Sequence, residues 1–327
     1  MPTTPTPTPF SRKPPAAPTV AQLIRFGARE FDAVGLAYGH GTVDARDDAA
    51  ALVFHALGLD HADAEAAYAI KPDKAQVEQV LGLFAERLLR RVPVAYLMGR
   101  MWFAGHEFEV DQRVIVPRSP FAELIAAGFA PWIDPARVRR LVDVGTGSGC
   151  MAIACALRFP QAQVDAVDLS PHALEVAARN VQRHGVGARL QLHLGDTFEP
   201  LGNAVYDLIV SNPPYVSDAE MAALPREYLH EPDMALRAGS DGLDVVRRIL
   251  RDADAHLAPG GVLVVEVGDS EDRLQQAYPG VPFLWLEFEH GGGGVFLLTK
   301  DDLRRHRHEL SGAGQACRAI HSGRCSR

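Results

Sequence analysis

The sequence predicts an α/β protein with a mostly parallel β-sheet, preceded by a small helical domain and a β-hairpin linker. Between residues 141 and 299, seven apolar runs with strand-like patterns occur, and helical stretches separate most of them. Such alternation builds βαβ units, whose parallel sheet is covered by helices on both faces. Before residue 92, apolar residues instead recur every three or four positions, as on one face of a helix.

Changes in composition divide the chain into five segments. We expect a disordered Pro/Thr-rich tail over residues 1–18, a helical domain over 19–92, a β-hairpin linker and helix over 93–130, a sheet domain over 131–300 and a flexible tail over 301–327. Pro93 is expected to close the helical domain. The last two strand-like runs flank four glycines, so they should pair as a hairpin at one side of the sheet.

Composition favours a globular protein of the cytoplasm. Apolar residues make up 47% of the chain, which is ordinary for a globular domain. No run of about eighteen apolar residues occurs, so we expect no membrane span. The four cysteines, Cys150, Cys155, Cys317 and Cys325, show no paired framework and favour a reducing compartment. The formal net charge of -8 does not favour sequence-specific binding of nucleic acid, which usually requires basic patches.

A glycine-rich turn follows the first predicted strand. Its G-T-G-S-G pattern differs from the dinucleotide fingerprint, since the third glycine comes one place early. With an acid in the preceding strand, the turn instead resembles the first motif of Rossmann-like methyltransferases. That resemblance implies a loop which accommodates the amino acid part of S-adenosylmethionine. The residues predicted to bind the cofactor here are Asp143, Gly145, Thr146, Gly147 and Gly149.

Acids also end the next two strands. Asp168 comes about twenty residues after the glycine turn, where a carboxylate can accept hydrogen bonds from both ribose hydroxyls. Ser170 can cap the following helix, which should leave Asp168 free for this role. In related methyltransferases an acid after the third strand meets the adenine amino group, which implies that Asp196 and Thr197 lie near the base. Ligands bind at the carboxyl ends of such strands.

The fourth strand ends in the most specific motif of the chain, Asn212-Pro213-Pro214-Tyr215. An amide or exocyclic amino nitrogen is a poor nucleophile, because its lone pair is delocalised. The Asn212 side-chain oxygen and the Pro213 carbonyl can each accept one N–H hydrogen bond and so aim that lone pair at a methyl donor. Tyr215 can stack on the flat group, and the prolines stiffen the loop. We predict these four residues to bind the substrate and catalyse transfer, with Asn212 also touching the cofactor.

Together these motifs resemble the HemK family of glutamine N(5)-methyltransferases, over roughly residues 22–300. The resemblance implies a class I S-adenosylmethionine-dependent methyltransferase domain with a seven-stranded sheet. It also implies that the helical domain recognises the substrate, and that the substrate is the side-chain amide of a glutamine in a protein. No metal is implied.

Two branches of this family differ in their protein substrate. One methylates peptide-chain release factors, and the other methylates the third protein of the large ribosomal subunit. The stretches VAYL at residue 94, WFAGHEF at residue 102 and VPRSP at residue 116 resemble the ribosomal-protein branch. At the last of these, the release-factor branch usually has Pro-Arg-Pro. We therefore expect the large-subunit ribosomal protein, free or in an assembling particle, to be the partner.

Three alternatives remain at this point. The N-P-P-Y motif also occurs in enzymes that methylate the adenine N(6) atom of nucleic acids, where the nitrogen poses the same problem. An NAD-dependent oxidoreductase is disfavoured by the glycine spacing. A non-catalytic ribosome-assembly factor could keep the fold and act by binding alone, although every residue needed for the chemistry is present.

Overall fold

We describe the fold from a computed structural model, which covers residues 9–312. The chain divides into two compact units. The first holds the described residues up to Met101, together with Val110–Gln112 and Pro225–His230. The second holds Trp102–Glu109, Arg113–Leu224 and the described residues from Glu231 onward.

The first unit is helical, as the spacing of its apolar residues predicts. Two of its helices begin with reciprocal caps, in which Thr19 pairs with Gln22 and Asp73 pairs with Gln76. Such caps satisfy backbone N–H groups that have no partner within the helix. The helices are α1 (Val20–Ala33), α2 (Ala45–Leu57), α3 (Ala64–Ala67), α4 (Lys74–Arg90) and α5 (Val94–Met98). Their apolar faces form one buried cluster, which includes Leu23, Phe31, Leu52, Phe54 and Phe84.

The linker differs from its prediction at its beginning, because Val94–Met98 is a helix rather than part of the hairpin. Pro93 directly precedes this helix. Proline is well tolerated at the beginning of a helix. Gly99 ends the helix in a left-handed conformation, with φ 67°, which costs glycine little. The predicted hairpin follows at the Ala104-Gly105 turn. Its strands are β1 (Arg100–Phe103) and β2 (His106–Glu109).

The part of the predicted N-terminal tail that the structure describes, residues 9–18, contacts α1. The rings of Phe10 and Phe26 lie 5.3 Å apart, and the Ser11 hydroxyl donates to Glu30 at 3.0 Å. These residues form no helix or strand. Phe10 and Ser11 thus make contacts that the Pro/Thr-rich composition does not predict, and disorder of the tail stays a prediction.

The predicted C-terminal tail begins with two short helices. Leu303 and Leu310 are almost fully buried against the second unit's core. The charged composition of residues 301–310 did not predict this packing. One buried leucine in each of the two short helices packs that helix against the core, although most of its other residues are polar. The helices are α12 (Lys300–Arg305) and α13 (Arg307–Leu310). Residues 313–327, with Cys317 and Cys325, lie outside the described residues.

The second unit contains a mostly parallel sheet of seven strands, which confirms the predicted fold class. The strands are β3 (Arg140–Val144), β4 (Gln163–Asp168), β5 (Leu190–Leu194), β6 (Tyr206–Ser211), β7 (Leu257–Glu266), β8 (Leu284–Trp285) and β9 (Val295–Thr299). Their order in the sheet is β5-β4-β3-β6-β7-β9-β8. β9 runs antiparallel to both β7 and β8, so the last two strand-like runs do pair at one side of the sheet.

Helices cover both faces of this sheet. Side chains alternate between the two faces along each strand, so apolar residues are presented to the helices on either side. In β3, Leu141 belongs to one buried cluster, which includes residues of α7, whereas Val142 and Val144 belong to another, which includes residues of α10. The helices of this unit, besides the two at its C-terminal end, are α6 (Phe121–Ala127), α7 (Cys150–Arg158), α8 (Pro171–His184), α9 (Asp218–Ala223), α10 (Asp244–His256) and α11 (Glu271–Ala277).

The middle of the sheet brings the two main sequence motifs together. β3 and β6 are parallel neighbours, and their register pairs Val144 with Ser211. The Ser211 hydroxyl donates to the Val144 carbonyl at 2.6 Å. The glycine turn after β3 and the N-P-P-Y loop after β6 therefore start side by side.

Candidate active site

A cavity of about 410 Å³ lies at the carboxyl edge of the sheet. Its volume is within the usual range for small-molecule sites, and its place is where open α/β sheets bind ligands. Most of the residues predicted to hold a cofactor line it, together with part of the N-P-P-Y loop. They are Gly145, Gly147, Asp168, Asp196, Thr197, Asn212, Pro213 and Pro214.

The other four predicted residues lie outside this lining. Asp143 and Thr146 line a small cavity of about 40 Å³, which shares the glycine turn and Asn212 with the larger one. Tyr215 lines a third cavity, of about 660 Å³. Gly149 packs closely against α8, since an added Cβ would be 3.2 Å from the Cβ of Ala177 on that helix.

The glycine turn is bent tightly and leaves one buried carboxylate oxygen without a partner. Gly145 and Gly147 have φ angles of 79° and 56°, which favour glycine. Asp143 is fully buried, and its Oδ2 accepts from the Thr146 hydroxyl at 2.7 Å and from the Ala152 N–H at 3.1 Å. Its Oδ1 has no hydrogen-bond partner within residues 9–312. Burial raises the pKa of Asp143 to about 7. A buried, unpaired acceptor is costly unless a ligand supplies a donor.

Asp168 ends β4 at the cavity wall. Ser170 caps α8 as expected, but this does not leave Asp168 free. One carboxylate oxygen accepts from the Gly147 N–H at 2.8 Å, and the other accepts from the Ser170 N–H at 2.8 Å. Burial raises its pKa above the usual range. Each carboxylate oxygen can accept a second hydrogen bond, so Asp168 keeps capacity for a ligand while its backbone partners hold it in place.

Asp196 and Thr197 follow β5 at the opposite wall. Thr197 has a φ of 48°, an uncommon conformation for a residue with a branched side chain. The Nε atom of Arg248, which also lines the cavity, lies 3.5 Å from Oδ1 of Asp196. Arg248 is a site residue that the sequence did not indicate, because it lies mid-helix in α10 without a motif.

The N-P-P-Y loop touches the glycine turn through its backbone. A Cβ added to Gly145 would lie 3.9 Å from Cα of Pro213 and 4.0 Å from the carbonyl oxygen of Asn212. Asn212 lines both the large and the small cavity. The predicted amide-orienting residue is therefore adjacent to the predicted cofactor loop.

Tyr215 contacts the end of β7 and the residues that follow it. Its ring packs on Gly268, where an added Cβ would lie 2.7 Å from the ring. Its backbone carbonyl accepts from the Ser270 hydroxyl at 2.9 Å. Its own hydroxyl donates to Glu266 at 3.3 Å. Burial, and then the charge of Glu266, raise the pKa of Tyr215, so the hydroxyl stays protonated.

Glu266 is a further residue of the site that the motifs missed. It is the last residue of β7 and is 6% exposed. Burial raises the pKa of Glu266 to about 7, and the hydroxyls of Ser119 and Tyr215 oppose this rise, as do Arg118 and Asn212. An acid at the end of a strand next to the N-P-P-Y strand is the signal that could have found it.

The Pro117-Arg118 segment is fixed by an ion pair. The Arg118 guanidinium donates to both oxygens of Glu231, at 2.5 and 2.8 Å, and Glu231 also accepts from the Val116 N–H at 2.9 Å. Such a two-pronged pair is strong and directional. The Arg118 guanidinium is therefore engaged in an ion pair with Glu231. Glu231-Pro232 therefore orders this segment.

Residues 9–312 contain no helix that is both long and apolar enough to cross a bilayer. They also contain no group of three or more His, Cys, Asp or Glu side chains placed to hold a metal ion. Cys150 and Cys155, both in α7, are unpaired thiols there.

Known proteins resemble this chain over most of its length. Residues 129–241 match the model of the methyltransferase small domain. The relative from Bordetella pertussis is 48% identical over 87% of this chain and 96% of its own. The relative from Xanthomonas campestris is 46% identical over 90% of this chain and 95% of its own length. The relative from Neisseria gonorrhoeae is 47% identical over 87% of this chain and 95% of its own length. Each is named ribosomal protein uL3 glutamine methyltransferase. The resemblance seen in the motifs is thereby confirmed, and the chain belongs to the family of ribosomal protein uL3 glutamine methyltransferases.

Proposed function

We propose that this methyltransferase transfers a methyl group from S-adenosylmethionine to the side-chain amide nitrogen of a glutamine in ribosomal protein uL3. The observation that carries the proposal is the position of Asn212, which lines the cavity beside the glycine turn and begins a proline-stiffened loop. The names of the relatives support uL3 as the substrate.

The volume of the cavity of about 410 Å³ fits S-adenosylmethionine. In the small cavity that shares the glycine turn with it, the unpartnered Oδ1 of Asp143 is suited to the cofactor's ammonium group, which would supply the missing donor. Asp168 retains acceptor capacity for the ribose hydroxyls, and Asp196 with Thr197 would meet the adenine. When bound, the cofactor supplies an electrophilic methyl group on a sulfonium.

The chain's own residues would then make an amide nitrogen reactive by position. Oδ1 of Asn212 and the carbonyl oxygen of Pro213 would each accept one N–H of the glutamine amide. Two acceptors fix both hydrogens, so that the lone pair points at the methyl carbon. The prolines keep the loop rigid, which reduces the ordering needed when substrate binds. No strong general base is required, because the proton can leave after the transfer.

The cavity of about 660 Å³ lined by Tyr215 and Glu266 is our candidate for the substrate side. Its remaining lining is mainly glycine and acid side chains, including Asp269, Glu271 and Asp272. Asn212 and Pro213 do not line this cavity, so the glutamine side chain would enter here and extend past Tyr215 to reach them. Tyr215 would contact its planar amide, in keeping with the stacking role predicted for it.

Three substrates distinguish this function from the alternatives. The full-length enzyme is incubated with S-adenosylmethionine labelled in its methyl group and with uL3, a peptide-chain release factor or duplex DNA. We expect label in uL3 and, after digestion, on one glutamine residue. Label in the release factor alone would move the enzyme to the other branch of the family, and label in DNA alone would refute protein methylation.

The affinity for the cofactor should depend on pH through Asp143. With a pKa of about 7, this carboxyl is charged above pH 7 and neutral below it, and only the charged form attracts an ammonium group. Between pH 7.5 and pH 6, the charged fraction and hence the affinity of the free enzyme should fall about eightfold. Calorimetric titration with S-adenosylhomocysteine measures this, and Asp143→Asn should bind weakly with a flat pH profile. A wild-type affinity that does not change over this range would contradict the assignment.

Substituting Gly268 tests whether the position of Tyr215 matters for transfer. Gly268→Ala places a Cβ 2.7 Å from the Tyr215 ring, so the ring must move, and we expect the transfer rate to fall about tenfold. Gly260→Ala is the matched control, since Gly260 also has a positive φ but has no atom within 4 Å of an added Cβ. Each variant should lose about 1 kcal/mol of unfolding free energy from its left-handed backbone, and Gly268→Ala should lose more because it displaces the ring. Equal rates for the two variants would show that the ring's position is unimportant.

A further inference from the structure

Glu266 is a buried carboxylate at the catalytic loop for which the proposed chemistry has no role. β6 and β7 are parallel neighbours, and their register pairs Ser211 with Val265. The next residues, Asn212 and Glu266, therefore leave the sheet side by side. A carboxylate that is 6% exposed loses most of its hydration, and this cost is offset only if its neighbours donate hydrogen bonds.

Two hydroxyl groups donate hydrogen bonds to this carboxylate, and Asn212 lies beside it at the end of the neighbouring strand. The Ser119 hydroxyl donates to Oε2 at 2.5 Å, and the Tyr215 hydroxyl donates to Oε1 at 3.3 Å. The side-chain amide of Asn212 is among the groups that favour the charged form of Glu266, which a carboxamide does by directing its NH₂ group at the carboxylate. Glu266 thus faces both polar side chains of the N-P-P-Y motif.

The orientation of Asn212 is the point at which this arrangement affects chemistry. A carboxamide has one accepting end and one donating end, and rotation by about 180° exchanges them with little change in shape. When Oδ1 of Asn212 is directed at the substrate, it accepts a hydrogen bond from the N–H of the glutamine amide. When the Asn212 NH₂ group is directed there instead, it faces another donor, and the glutamine nitrogen is not held. In its ionised form, a carboxylate on the other side can only accept hydrogen bonds, so it removes the second possibility.

We propose that Glu266 is a positioning residue for methyl transfer, whose carboxylate accepts from the Asn212 NH₂ and the Tyr215 hydroxyl and so turns Oδ1 of Asn212 toward the substrate nitrogen. The proposal rests on the function proposed above for Asn212. Ser119, which lies 147 positions earlier in the chain, holds the other oxygen of the carboxylate and so fixes its orientation in turn.

The test compares Glu266→Gln with wild type in single-turnover methylation of uL3 and in calorimetric binding of S-adenosylhomocysteine. Glutamine has the same shape but also presents an NH₂ group, so it no longer enforces one orientation of Asn212. We expect the transfer rate to fall about 100-fold, with the cofactor dissociation constant within about twofold of wild type. Asp254→Asn is the matched control, since Asp254 is also 6% exposed but pairs with Arg307. It should leave the transfer rate unchanged.

A second measurement distinguishes positioning from a structural contribution. If Glu266 acts through Asn212, then Glu266→Gln in an Asn212→Ala background should lower the residual rate by less than about twofold. A 100-fold loss in both backgrounds would overturn the proposal, as would an unchanged rate in Glu266→Gln alone. Should Glu266→Gln not fold, Ser119→Ala removes the other support of the carboxylate. It is then expected to lower the rate without changing cofactor binding, and a wild-type rate would refute the proposal.

The outcome for Asn212→Ala alone separates this inference from the proposed function. If Asn212→Ala is inactive while Glu266→Gln is fully active, only the positioning role fails. If Asn212→Ala is fully active, the proposed function fails first, and the positioning role fails with it.

Discussion

Replacing Asn212 by alanine is expected to lower the rate of methyl transfer by about 100- to 1,000-fold, the range found when one oriented polar partner of a transition state is removed. The substitution takes away one of the two acceptors that would fix the amide hydrogens, while Pro213 keeps its carbonyl. The substrate nitrogen then loses its aim at the methyl carbon. Single-turnover kinetics with saturating cofactor and uL3 measure the change directly.

Asn203 offers a matched control for this substitution. It is an exposed asparagine in the turn before β6, outside the cavities described above. Asn203→Ala should keep the wild-type rate, and both variants should unfold at nearly the same temperature. If Asn212→Ala retained the full rate, the N-P-P-Y loop would have no part in orienting the nucleophile.

Replacing Asp168 by alanine is expected to weaken cofactor binding by about 100-fold or more. Hydrogen bonds to a charged group contribute about 1.5–3 kcal/mol each, and loss of two of them corresponds to at least this factor. The change also leaves the N–H groups of Gly147 and Ser170 without their acceptor, which loosens the glycine turn. Titration with S-adenosylhomocysteine measures the dissociation constant.

Asp165 provides the comparison for Asp168, because it lies on the same strand and is buried, but it binds His193 and Tyr206. Asp165→Asn should leave the cofactor dissociation constant within about threefold of wild type. An equal loss of affinity in the two variants would mean that the strand, rather than the Asp168 carboxylate, determines binding. Wild-type affinity in Asp168→Ala would remove Asp168 from the site.

The sheet and its binding edge could be predicted from the sequence because their signals are local. A buried parallel strand is a short apolar run, and the turn after it must contain glycine, proline or a polar side chain. Gly145, Asp168, Asp196 and Asn212 each follow such a run, and the topology of the sheet then brings them to one cavity. The rule that relates sequence to position here is that ligands bind at the carboxyl ends of the strands in an open α/β sheet.

The rest depended on contacts between distant residues. The bond between Ser119 and Glu266 and that between Arg118 and Glu231 join residues more than a hundred positions apart, and no local pattern predicts them. Composition likewise does not predict the contacts of Phe10 or the burial of Leu310, two apolar side chains among polar neighbours. Gly149 was assigned to the cofactor from the motif, whereas its close approach is to Ala177 on α8. A sequence motif indicates that a glycine is needed at a position, but it does not indicate whether the close contact is with a ligand or with another helix.

A crystal structure of the enzyme with S-adenosylhomocysteine and a uL3 segment that contains the target glutamine tests the central claim most directly. The account predicts that the glutamine amide nitrogen lies about 3 Å from both Oδ1 of Asn212 and the carbonyl oxygen of Pro213, with the sulfur of the cofactor product on the far side. A structure in which the Asn212 carboxamide faces solvent, or directs its NH₂ group at the glutamine, would contradict it.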